Sequence, residues 1–164
     1  MSHFLLILVL AAFTGCDATE PVSRDPVPFR VLLQSGDFFE EGEGVPPASI
    51  ALRSEAEEQA FLADYPRTPF WTSDGGPFLP PFPEVDYSTE TAVVLALGPK
   101  PVGNISVRLD SIVVEGNSAV VYATAVNPCM QQRSMANPAV VVAAEGAGRE
   151  ITFAPLGEED ERCR

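Results

Sequence analysis

"TAVVLALGPKPVGNISVRLDSIVVEGNSAVVYATAV", residues 91–126, decides how the chain folds. Its first seven residues are an unbroken apolar run, the pattern of a central strand buried on both faces. After Asn104 the pattern changes. Ile105, Val107 and Leu109 alternate with polar residues, which predicts a strand with one solvated face. The alternation shifts phase to Ile112 and Val114, so a bulge is expected at Asp110–Ser111. "EGNS", Glu115–Ser118, is a glycine-first hairpin turn, and "AVVYATAV" returns from it. Between the first two strands lies "LGPKPVGNISVRL", residues 97–109, which holds the only lysine of the chain, Lys100. A phosphate cradle would need its glycines to open onto a helix N-terminus. Here Gly98 and Gly103 are followed by a strand, so the stretch reads as a hairpin with Lys100 at its exposed tip.

Outward from this stretch, "AVVVAA" (139–144) and "EITFAP" (150–155) give two later strands, and "FRVLLQ" (29–34) and "SIALR" (49–53) two earlier ones. One helix is predicted between them. Ser54 and Glu57 have capping-box spacing, Phe61, Leu62 and Tyr65 follow at helical spacing, and Pro66 ends the run. The expected fold class is α+β: a mainly antiparallel β-sheet of about six or seven strands with one packed α-helix. Length and composition agree. The chain has 164 residues, 46% apolar and 20% charged, enough for one globular domain with a real core.

The N-terminal segment reads as a targeting signal. "FLLILVLAAF", Phe4 to Phe13, has the length of a signal-peptide core and is too short to span a bilayer. It runs into "FTGC", which resembles the bacterial lipobox, with Cys16 as the lipidated cysteine. Thr14 and Gly15 fit that pattern; Phe13 stands where leucine is usual, and no basic residue precedes the core. The alternative is an ordinary cleaved signal followed by a cysteine. The division expected is a signal peptide over 1–15, a flexible proline-bearing tether over 16–28, and a globular domain over 29–164. The protein would be extracytoplasmic, held by lipid at Cys16 to a bacterial cell membrane, inner or outer.

Two further features bear on function. Residues 65–87, "YPRTPFWTSDGGPFLPPFPEVDY", combine Phe70, Trp71, Phe78 and Phe82 with six prolines. Such a loop serves as a partner-binding surface, or its aromatics cover one face of a small sheet. Cys129 and Cys163 are the thiols left once Cys16 is lipidated. In an oxidising compartment they are expected to form a disulfide, the alternative being two free thiols.

Several function classes are disfavoured. With 23 acidic and 10 basic side chains the formal charge is −13, which repels nucleic acid. His3 is the only histidine and leaves with the signal peptide, so the mature chain can form no histidine-based triad or metal site. Lys100 at a solvated tip is not placed to serve as a base. Neither "TSDGG" nor the acidic run Glu158–Glu161 resembles an ordered calcium loop. The chain is therefore expected to be no enzyme, and no metal or cofactor is expected.

Residues 82–144 resemble the C-terminal domain of the PrcB family, named for a lipoprotein subunit of a surface protease complex. Val85, Asp86 and Tyr87 match the Val-Asp-Phe-like opening of the family pattern, and Gly98 the glycine that ends its apolar strand. Gly103 and Ser106 match its Gly-Gly-Tyr-Ser element, in which Asn104 and Ile105 replace the second glycine and the tyrosine. Pro128, Cys129 and Pro138 fit the later positions. "IALRSEAEEQAFLADY" resembles the strand and helix that often precede the domain, and the family-like core spans about 82–153. The resemblance implies a membrane-anchored accessory module that binds or stabilises another extracytoplasmic protein, such as a protease. Two other readings stay open: a small-molecule or glycan-binding lipoprotein, and a protease inhibitor presenting the 99–104 turn or the 66–83 loop. In each, Phe70, Trp71, Phe78, Phe82 and Lys100 are the candidate contact residues.

Overall fold

In the computed structural model, residues 24–40, 46–73, 75–101, 104–129, 135–146 and 148–161 are described. The elements in chain order are β1 (Phe29–Ser35), β2 (Ala48–Leu52), α1 (Glu55–Asp64), β3 (Phe70–Trp71), β4 (Pro77–Phe78), β5 (Glu90–Ala96), β6 (Ser106–Glu115), β7 (Ser118–Asn127), β8 (Ala139–Glu145), β9 (Glu150–Phe153) and β10 (Gly157–Asp160). The fold is α+β and β-rich, with mostly antiparallel pairing and one helix. The strands divide into two sheets and a small ribbon, more pieces than the single sheet expected from the sequence.

The two unbroken apolar runs become β5 and β8, side by side in the centre of a sheet ordered β1-β8-β5-β2. Both faces of this sheet are covered, which is why neither strand has a polar side chain within its run beyond Thr91. Val93, Leu95, Val140 and Val142 point to one face and meet Val107, Leu109, Ile112 and Val121 of the second sheet. Ala92, Val94, Ala96, Ala139 and Val141 point to the other face, toward Phe38, Phe39, Phe61 and Phe82. The second sheet, built on β6 and β7, leaves its outer face to solvent, and its strands alternate accordingly. The register of β6 against β7 slips between Leu109 and Ser111, at the expected bulge. Gly116 closes the hairpin with φ +63°, a conformation open to glycine at little cost.

The hairpin expected between β5 and β6 is not formed, since the two strands are not paired with each other. β5 already has β2 and β8 on its two sides, so the chain after it crosses to the other sheet and starts β6 there. Two parallel pairings were also unexpected. β9 lies parallel to the first half of β7 (Ser118↔Glu150), and β10 parallel to its second half (Gly157↔Thr124). The chain leaves β7, passes through β8 in the other sheet and returns in the same direction. Gly157 fits here because an added Cβ would come within 3.1 Å of the Thr124 hydroxyl.

Residues before the expected boundary at Phe29 also pack on the domain. Val27 is buried in the core between the sheets, its amide donates to the Ile112 carbonyl at 2.8 Å, and the Val114 amide donates to the Asp25 carbonyl at 2.8 Å. An apolar side chain in the presumed tether was enough to dock it.

Helix α1 begins at Ser54, whose hydroxyl accepts from the Glu57 amide at 3.2 Å. The Glu57 carboxylate accepts in turn from the Arg53 amide at 2.6 Å, one residue before the position a capping box uses. Phe61 is the one helix residue fully inside. Its ring stacks on Tyr65 with centroids 4.5 Å apart and meets Phe39 edge-on at 5.5 Å.

Candidate functional site

The proline-rich segment after the helix is braced at its base and exposed at its end. Residues Phe38–Glu40 run beside Pro66–Thr68: the Glu40 amide donates to the Pro66 carbonyl and the Thr68 amide to the Phe38 carbonyl, both at 2.8 Å. The Arg67 guanidinium then donates to the Pro80 carbonyl at 2.7 Å, tying the outgoing strand of the loop to the returning one. Beyond this clamp β3 and β4 pair antiparallel, Phe70 opposite Phe78 and Trp71 opposite Pro77. The Thr72 amide and hydroxyl both donate to the Gly76 carbonyl at 3.0 Å, and Gly75 takes φ +81° to complete the turn.

Of the four aromatic candidates, three come together on this ribbon. Phe70, Trp71 and Phe78 are exposed, Trp71 to 76%, and Leu79 beside them is exposed as well. They do not cover the sheet. Phe82 does: it is buried against Phe38 with centroids 6.4 Å apart, so it is a structural residue and not a contact residue. Phe70 and Phe78 lie opposite each other on one face of the ribbon, and Trp71, one position on, belongs to its other face. Exposed aromatics on both faces of a braced, proline-stiffened ribbon leave little backbone freedom to lose on binding.

Lys100 belongs to a different place and is not at an exposed tip. Its amide donates to the Ala136 carbonyl at 2.7 Å and accepts back from the Ala136 amide at 3.0 Å through its own carbonyl, an isolated bridge that half-buries it. It lines a cleft of about 260 Å³ between the sheets, along with Ala48, Ser49, Leu95, Val121 and Leu156. On the opposite face of β2 a second groove, about 420 Å³, runs between that strand and α1, over Ile50, Leu52, Ala60 and Phe61. Neither cavity could be read from the residues alone, because both depend on which strand ends a sheet.

The resemblance element at Val85–Tyr87 is a turn. The Asp86 carboxylate accepts from the Ser88 hydroxyl at 2.6 Å and from the Ser88 amide at 3.0 Å, and these bonds hold its pKa below the usual carboxylate range. Burial, together with its 2.8 Å bond to Glu58, pushes the Tyr87 phenol up and joins this turn to α1. Next to it, Arg30 and Glu90 make a two-pronged ion pair, Nε to Oε1 at 3.0 Å and Nη2 to Oε2 at 2.8 Å, spanning β8 from β1 to β5. These groups stabilise the fold. Glu58, Val85 and Tyr87 also line a shallow cavity of about 290 Å³ beside Phe82.

Cys16 and Cys163 lie outside the described residues. Cys129 carries no free thiol; it is disulfide-bonded. The acidic stretch before Cys163 is β10, held to β7 through Asp160↔Asn127 and a 2.9 Å bond from the Glu161 amide to the Asn127 carbonyl. Among the described residues no group of His, Cys, Asp and Glu side chains could hold a metal ion, and no helix is long and apolar enough to cross a membrane.

No protein-family model, no curated protein and no solved structure matches this chain.

Proposed function

We propose that the chain is a non-catalytic interaction module, an extracytoplasmic lipoprotein anchored through Cys16, that binds another cell-envelope protein through the ribbon carrying Phe70, Trp71 and Phe78. The observation that carries this reading is the exposure of three aromatic side chains, Phe70 and Phe78 on one face and Trp71 on the other, on a ribbon braced by Arg67. Adjacent exposed apolar side chains such as Phe70 and Phe78 mark interaction sites more often than solitary ones do. The PrcB resemblance supports the same reading and names a protease as one class of partner. The inhibitor reading through the 99–104 turn has less to rest on, since Lys100 in that turn is tied by backbone bonds to Ala136.

Two tests follow. Trp71→Ala should cost about 2–4 kcal/mol of partner binding as a central aromatic anchor. As an exposed substitution it should change stability by no more than about 0.5 kcal/mol. Comparing partner recovery with the detergent-solubilised wild-type and Trp71→Ala proteins measures the first; a urea melt measures the second. Equal recovery by the two proteins would remove the ribbon from the account. Separately, Cys16→Ser should shift the protein from the membrane to the soluble fraction, and palmitate label should enter only the wild type. Label absent from the wild type would exclude the anchor.

A further inference from the structure

Four sheet edges have to be kept from pairing with other chains. β6 is covered by Asp25–Val27, with Pro26 bridging Val113, and the Gln34 side chain donates to its Val107 carbonyl at 3.0 Å. β1 carries Arg30 and a register slip between Val31 and Leu33. The β9–β10 edge exposes Glu150, Glu158, Glu159 and Asp160 and is interrupted at Pro155. β2 has none of these devices. It ends its sheet, its sequence Ala-Ser-Ile-Ala-Leu holds no charge, proline or bulge, and among the described residues nothing hydrogen-bonds its outer edge.

The two cavities lie on opposite faces of this same strand. The 260 Å³ cleft opens between the sheets beside Pro47–Ser49, and the 420 Å³ groove opens toward α1 beside Ile50–Arg53. Side chains of an extended chain alternate between the two faces of a sheet. A strand laid along β2 would therefore drop one side chain into the cleft and another, an odd number of residues away, into the groove.

We propose that the free edge of β2 is a docking site for an extended segment of a partner protein, which adds a fifth strand to the β1-β8-β5-β2 sheet. The unpaired backbone of β2 selects an extended occupant, because only a strand satisfies a row of amides and carbonyls. The cavities select two apolar side chains about three residues apart, by the spacing of the cleft at Ser49 and the groove at Leu52. Two carboxylates, Glu57 and Asp64, line the groove against one cation, Arg53, whose guanidinium is turned to the Arg149 carbonyl at 3.2 Å; in a chain of net charge −13 this balance selects a basic residue at the groove end of the segment. This rests on the reading of the chain as an interaction module and names the chemistry of a partner. It does not use the ribbon, so loss of one surface leaves the other standing.

The test is a selection of randomised seven-residue peptides on the purified full-length protein. The expected result is enrichment of sequences with two apolar residues three apart, and protection of the Ala48–Leu52 amides from hydrogen exchange when the best peptide binds. Ser49→Trp and Ala60→Trp, both at exposed positions, fill the cleft and the groove; each should weaken the peptide about tenfold or more. Alternate N-methylation of the peptide should abolish binding for one set of residues and spare the other, because only one set faces β2. Failure of any sequence to enrich, exchange protection elsewhere than β2, or equal tolerance of both N-methylated sets would overturn the proposal. A peptide that binds here while Trp71→Ala leaves partner recovery unchanged would keep this site and discard the ribbon.

Discussion

Phe39→Ala is expected to destabilise the protein by about 3–5 kcal/mol. Phe39 is wholly buried, with ring contacts to Phe38 at 5.0 Å, Phe61 at 5.5 Å and Tyr65 at 6.3 Å. It joins three parts that have few other contacts between them: the outer face of the central sheet, helix α1, and the base of the aromatic ribbon through its bridge to Arg67. Alanine removes the ring and leaves a cavity that a β-sheet floor cannot close by shifting. The effect should show as a lower urea midpoint. Phe70→Ala, the same chemical change at an exposed ribbon position, should stay within about 0.5 kcal/mol of wild type. Equal losses at the two positions would contradict the assignment of one ring to the core and the other to the surface.

The second large effect is expected at Cys129. Its partner is proposed to be Cys163, since the parallel register sets Asp160 opposite Asn127 and both cysteines follow within three residues of that pair. Closing a loop of this size stabilises by about 3–4 kcal/mol, most of it through the unfolded state. β10 has no buried side chain of its own; all four of its residues are exposed. Cys129→Ser should therefore lower the midpoint by that amount and raise hydrogen exchange at Glu158–Asp160 before anywhere else in the sheet. A thiol count on unreduced, denatured protein gives an independent check. No reactive sulfhydryl from Cys129 or Cys163 is expected, and two would refute the pairing.

What could be read from the sequence, and what could not, separates along physical lines. The continuous apolar run at 91–97 identified β5 as a strand covered on both faces, because only double burial removes every polar position from a strand, and the run at 139–144 marked β8 as a strand. The bulge after Leu109, the turn at Gly116 and the helix start at Ser54 were equally legible, since each depends on residues within a few positions of one another. The link from β5 to β6 was not. A half-buried strand has the same alternation whichever sheet it joins, so Ile105–Leu109 could not reveal that its neighbour is β7 and not β5. Phe70 and Phe82 sit in the same proline-rich segment and are the same residue type. Contact with Phe38, distant in sequence, is what buries one of them. "GEED" has no apolar residue to mark a strand, and it becomes one through backbone pairing to β7, with Glu159 ion-paired to Arg108 and Asp160 accepting from the Asn127 side chain.

The central claim, that the aromatic ribbon meets another protein, is tested most directly by a photo-crosslinking residue, p-benzoylphenylalanine, placed at position 71 of the protein in living cells, with the same residue at exposed Glu158 as the comparison. The account predicts a discrete protein adduct at position 71, diminished by Phe78→Ala and absent from position 158. No protein adduct at position 71, or the same adducts from both positions, would contradict it.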